Sequence, residues 1–91
     1  DYAVVSIEGR YGFINSKGDI VIEPIYEIAS NYSEGLALVV TGGKRGFIDQ
    51  KGDMVIEPKF DGGSSFSEGL ARVLVNGKHG YIDKKGDIVI E

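Results

Sequence analysis

Displaced by 34 residues, the separation of Gly12 from Gly46, the sequence lies on itself without a gap. Gly12-Phe13-Ile14 falls on Gly46-Phe47-Ile48 and then on Gly80-Tyr81-Ile82. Lys17-Gly18-Asp19 falls on Lys51-Gly52-Asp53 and Lys85-Gly86-Asp87, Val21-Ile22-Glu23-Pro24 on Val55-Ile56-Glu57-Pro58, and Ser33-Glu34-Gly35 on Ser67-Glu68-Gly69. The units run 1–34, 35–68 and 69–91, the third stopping partway. A unit this short cannot bury an apolar face alone, so neighbours must stack, and 1–91 reads as a single repeat domain.

Each unit reads as a three-stranded antiparallel meander. The first strand is 70–75, with 36–41 and 2–7 as its copies. Asn76-Gly77 follows, and both central positions of a type I′ turn require positive φ, which Asn and Gly tolerate best. The copies Gly42-Gly43 and Glu8-Gly9 keep the second glycine. The second strand, 78–83, ends in Asp83-Lys84-Lys85-Gly86, the pattern of a type I turn closed by a left-handed glycine bulge. Gly52 and Gly86 are therefore expected at positive φ, as is Gly77. The third strand, 87–91, is rich in Ile and Val, and Pro24 or Pro58 is expected to end it, since proline cannot donate to a ladder. Connectors 25–34 and 59–68 return to the next unit, anchored by Tyr26 and Tyr32 or by Phe60 and Phe66; Gly62-Gly63-Ser64-Ser65 reads as the looser. The fold class is all-β with eight or nine strands, a superhelical, solenoid-like array or a propeller-like one.

Period-2 alternation assigns Ala37 and Val39 to one face and Leu36 and Leu38 to the other. Leu38 becomes Arg72 one unit later, so the second face is expected to be partly wet. Ala37, Val39, Ile48, Ile56, Phe60, Phe66, Leu70, Ala71, Val73 and Ile82 are expected to form one continuous core. Helix is disfavoured because apolar spacing at 3 and 4 is absent and the 14 glycines interrupt every window.

The pattern Gly-Lys-x-Gly-Tyr-Ile-Asp-x-x-Gly-Asp-x-Val-Ile at 77–90, extended by Pro58, Phe66-Ser67-Glu68-Gly69 and Leu70-Ala71, resembles the WG-repeat family. The resemblance covers the whole chain. It implies a tandem repeat of bacterial proteins and brings no catalytic residues with it. The Trp that names the family is replaced by Tyr11, Arg45 and His79, while the glycine after it stays as Gly12, Gly46 and Gly80.

Signs of chemistry are weak. His79 is the sole histidine, and its copies are Tyr11 and Arg45, so no acid–base role is indicated. Without cysteine there is no disulfide and no zinc set. Asp49-Gln50-Lys51-Gly52-Asp53 lacks the third ligand and distant Glu of a calcium loop. Gly42-Gly43-Lys44-Arg45-Gly46 leads into a strand, not the helix a phosphate loop requires. Glu57 and Asp61 read as solvated strand ends rather than a glycosidase dyad. No catalytic, cofactor-binding or metal residue is expected, and no cofactor.

The net charge of −4, with both signs interspersed, argues against nucleic acid as a partner, and no apolar run is long enough to insert in a membrane. The expectation is a non-catalytic module that binds or scaffolds a protein or peptide, with Tyr11, Arg45 and His79 as the candidate surface. Alternatives are a carbohydrate or cell-wall binding module, for which aromatic cages are the usual device, and a self-assembling structural spacer. The apolar edges at 88–90 and 2–5 lead to a further expectation, of head-to-tail self-association through the array ends or of continuation in a longer array.

Overall fold

The structure, a computed structural model, describes residues 2–90. Asp1 and Glu91, the outer ends of the first and last units, lie outside the described residues. Eleven strands and no helix are present among those described: β1 (Ala3–Ile7), β2 (Arg10–Ile14), β3 (Ile20–Tyr26), β4 (Ile28–Ala29), β5 (Ala37–Thr41), β6 (Lys44–Ile48), β7 (Met54–Phe60), β8 (Gly62–Gly63), β9 (Ala71–Val75), β10 (Lys78–Ile82) and β11 (Ile88–Ile90). They form three antiparallel sheets, β1-β2-β3, β4-β5-β6-β7 and β8-β9-β10-β11.

The strands number more than eight or nine because the connectors are themselves paired. Glu27 N–H donates to the Val40 carbonyl at 2.9 Å and Ser30 N–H to that of Leu38 at 3.0 Å, bracketing β4. Asp61 N–H and Ser64 N–H do the same to Leu74 and Arg72, bracketing β8. The Gly-Gly connector, expected to be looser, thus makes the same ladder as Ile28-Ala29. Backbone polar groups running beside a strand have to be satisfied, and the neighbouring edge is the nearest partner.

Turn chemistry follows the residues closely. Asn76 and Gly77 have φ of 51° and 80°, both in the left-handed region, as a type I′ turn demands. Gly52 and Gly86 have φ of 87° and 89°. In the same turn the Asp83 carboxylate accepts from the N–H groups of Lys85 and Asp87, at 2.9 and 3.0 Å. One tight hairpin was not foreseen. Glu34-Gly35 and Glu68-Gly69 also take the I′ conformation, with Ser33 and Leu36 exchanging both backbone hydrogen bonds.

Pro24 and Pro58 do not end the third strand; they lie inside β3 and β7. Phe47 pairs with Ile56 and Arg45 with Phe60, so Gly46 alone faces Glu57, Pro58 and Lys59 across a wide bulge. A Cβ built on Gly46 would stand 2.6 Å from the Ile56 carbonyl oxygen and 2.8 Å from Pro58 N; Gly12 is equally crowded by Ile22 and Pro24. The bulge and the edge position of β3 and β7 are where a sheet tolerates proline, and the missing N–H makes these edges poor templates for another strand.

The core is two clusters rather than one. Val4, Phe13, Ile22 and Tyr26 of the first sheet pack against Ala37, Val39, Ile48 and Met54 of the second. Leu36, Leu38, Phe47, Ile56 and Phe60, on the second sheet's opposite side, pack with Phe66 against Ala71, Val73 and Ile82 of the third. Both faces of the middle sheet are therefore covered, which is why Phe47, on the face expected to be wet, is fully buried. Leu70 is only half-buried, because it points to the far side of the third sheet.

Two expectations follow for stability. Gly46→Ala should cost about 2 kcal/mol or more by forcing the bulge apart, measured by urea denaturation. Ile56→Ala, which empties space between the second and third sheets, should cost about 2–4 kcal/mol, whereas the exposed Arg72→Ala should stay within about 0.5 kcal/mol.

Candidate functional site

Tyr11, Arg45 and His79 occupy the same place in the repeat, the second residue of β2, β6 and β10. Their surroundings differ. Tyr11 sits opposite Tyr26 and packs on the first core cluster. Arg45 sits opposite Phe60, and its Nη1 donates to the Asp61 carbonyl at 2.9 Å. Asp61 also takes an ion pair from Lys44 and an N–H bond from Asn76, and these, led by Lys44, hold its carboxyl below the usual range. His79 is exposed and faces Leu74 across the ladder. Two of the three are thus engaged in the seams between sheets, and only His79 lies on an uncovered face.

That face belongs to the third sheet, on the side away from the second. Strand alternation puts Arg72 and Leu74 on it from β9, and His79 and Tyr81 from β10, with Arg72 directly opposite Tyr81. The equivalents of Arg72 and Tyr81 are Leu38 and Phe47, both packed inside the molecule. Tyr81 is 38% exposed where Phe13 and Phe47 are at 0%. Beside it runs a groove of about 360 Å³ whose walls include Ser67, Glu68, Leu70 and Arg72. The sequence carries a signal for this site, the double change of Leu38 to Arg72 and Phe47 to Tyr81 one unit later, which belongs to the third unit rather than to the face as a whole.

The covered copies of that groove show what fits in it. Phe66 inserts against Phe47, ring centroids 4.8 Å apart and nearly perpendicular, and Tyr32 inserts against Phe13 at the same distance. The first pair is edge-on and the second tilted, and such aromatic contacts add to the area they bury. The Ser33 hydroxyl donates to the Phe66 carbonyl at 2.6 Å, and the Ser30 and Ser65 hydroxyls lie 3.3 Å apart. The Glu34 carboxylate accepts from Gly69 N–H at 2.8 Å and has Lys84 Nζ at 3.6 Å. The Gly69 bond, foremost, holds the Glu34 carboxyl below its ordinary value. Tyr32 donates its hydroxyl to the Asp49 carbonyl at 2.6 Å, and burial, reinforced by the Asp49 charge, pushes its phenol well up.

Among the described residues no three His, Asp or Glu side chains are placed to hold a metal ion. A smaller cavity, about 170 Å³, lies along Val73, Val75 and Ile88.

The family described as WG containing repeat matches residues 11–44, 46–78 and 80–91. No curated protein and no solved structure matches the chain.

Acid should loosen the seam between the second and third sheets. A carboxyl whose folded-state pKa is depressed contributes stability that is present above its unfolded value, ordinarily 4.5 for Glu34, and is lost as pH falls through the folded value. The melting temperature should drop below about pH 4.5, and Glu34→Gln should flatten that drop while lowering stability at pH 7; thermal melts from pH 7 to pH 3 measure both.

Proposed function

The chain belongs to the WG-repeat family, and from that premise we propose that it is a non-catalytic repeat module that binds a protein or peptide partner. The observation that carries this reading is the change of residue type on the third sheet's outer face. Positions that are apolar and packed in the earlier units are there Arg72 and Tyr81, with His79 and Leu74 beside them. A tyrosine, an arginine and a leucine around a shallow groove are the groups that anchor protein partners, because they combine apolar area with fixed polar ends. The interspersed charges support a partner other than nucleic acid.

The array reading that goes with it is an open superhelix. Equivalent residues, one repeat apart, build the first and second seams, so one stacking operation is used twice. The body is elongated, 40 × 25 × 16 Å. Repeats stacked in this way present side chains in series along one surface.

A sugar-binding role is the second reading, favoured by the half-exposed Tyr81 ring beside Ser67, Glu68 and Arg72, which can stack on and hydrogen-bond to a pyranose.

Selection from a random peptide library on the immobilised chain tests the proposal. Enriched peptides should bind the wild type and lose at least tenfold in affinity to Arg72→Glu and Tyr81→Ala. A library that yields no binder sensitive to these substitutions, alongside a glycan panel that does, would replace the first reading by the second.

A further inference from the structure

We propose that Asn76 is a site of spontaneous covalent modification, deamidation through a cyclic imide formed with Gly77, and that the acidic residue of the preceding connector controls its rate. The modification is independent of the binding role proposed above. Asn-Gly occurs once in the chain, at the tip of the β9–β10 hairpin, and both residues are exposed. Nothing lies within 4 Å of where a Cβ of Gly77 would stand. The backbone nitrogen that has to attack is therefore screened neither by a side chain of its own nor by a neighbour.

The chemistry needs only water. Gly77 N gives its proton to solvent base and bonds to Asn76 Cγ, the Cγ–Nδ2 bond breaks, and ammonia leaves. Water then opens the imide ring. Cleavage between the nitrogen and Cγ restores the original backbone with aspartate at 76. Cleavage at the main-chain carbonyl carbon gives isoaspartate, in which the chain runs through Cβ and Cγ and is longer by a methylene. Either product adds a negative charge.

The tips of the second and third sheets are capped differently. In the second, the Glu27 carboxylate accepts from Gly42 N–H at 2.9 Å and from Gly43 N–H at 3.3 Å. In the third the equivalent acid is Asp61, shorter by a methylene and ion-paired through one oxygen to Lys44. Its other oxygen accepts from Asn76 N–H at 3.3 Å, and Gly77 N–H has no acceptor among the described residues. The nucleophile is thus free where its copy, Gly43, is tied. The type I′ turn has to relax for the ring to close, and local opening is easiest where the fewest bonds hold the backbone.

Other candidates are worse placed. Asn15 Oδ1 accepts from the N–H groups of Lys17 and Asp19, and Asn31 Oδ1 from that of Val4. Ser16 and Tyr32 follow these asparagines in place of glycine. Asp61-Gly62 has a carboxyl that Lys44, foremost, holds below its usual range, and a carboxylate is a poor electrophile. Reaction at Asn76 would also loosen a joint, because Asp61 links Lys44 of the second sheet to Asn76 of the third.

The test is incubation of the 91-residue chain at mildly alkaline pH, with mass spectrometry of the tryptic fragment 73–78 over time. Aspartate and isoaspartate at 76 should accumulate at least tenfold faster than any product at Asn15 or Asn31. Asp61→Glu, which gives the third tip the reach of Glu27, should slow the reaction severalfold, and Asp61→Ala should speed it. Circular dichroism checks that each variant keeps its fold. The modified fraction, separated by anion exchange, should melt below the unmodified one. Deamidation at Asn76 no faster than at Asn15 and Asn31 would overturn the site. Equal rates in the wild type, Asp61→Glu and Asp61→Ala would overturn the control by the connector acid.

Discussion

The insertion of a connector aromatic against the phenylalanine of the preceding sheet, Phe66 on Phe47 and Tyr32 on Phe13, is the contact on which the stack depends. A small antiparallel sheet alone leaves an apolar face in water and is marginal at best. The plug covers that face with a residue whose chain is already committed to the next sheet, because β4 and β8 are hydrogen-bonded to β5 and β9. One short segment thus belongs to two layers at once. Ser33, holding the Phe66 carbonyl, and Glu34, holding Gly69 N–H, tie its polar groups so that the aromatic can be buried without leaving backbone unsatisfied.

Gly12 and Gly46 serve the same end by a different route. Their lack of a Cβ lets the third strand bulge across the second, and the bulge brings Tyr26 and Phe60 back onto the sheet opposite Tyr11 and Arg45. The proline at the bulge has no N–H to offer, so the crowded edge is closed to further strands. This accounts physically for the glycine that follows each of Tyr11 and Arg45: the side chain before it can vary, but a Cβ at the glycine has no room.

The same packing logic explains the candidate site. Leu38 and Phe47 are covered by the third sheet, whereas Arg72 and Tyr81 face solvent. A groove that is core in the second unit faces solvent in the third, where Arg72 and Tyr81 replace Leu38 and Phe47. Tyr11 and Arg45 take the other course and are absorbed into the seams.

Much of this was legible in the residues. The 34-residue register, the all-β class, the Asn76-Gly77 hairpin and the bulges at Gly52 and Gly86 depend on local backbone chemistry, in which each residue's allowed φ decides the turn. Nine of the ten residues expected in the core are buried. What local chemistry could not decide was which faces meet. Alternation separates Ala37 from Leu38, but only the stacking of a third sheet makes both sides of the second sheet interior, buries Phe47, divides the core in two and leaves Leu70 half-exposed. Strand pairing of Ile28-Ala29 and Gly62-Gly63 was likewise hidden, since two residues carry no periodicity and Gly-Gly reads as loop until an adjacent edge supplies its partners. The sequence by itself determined the unit and its turns, because those are set within a few residues; the tertiary structure decided which side chains are core and which face solvent, because that depends on the neighbour each face meets.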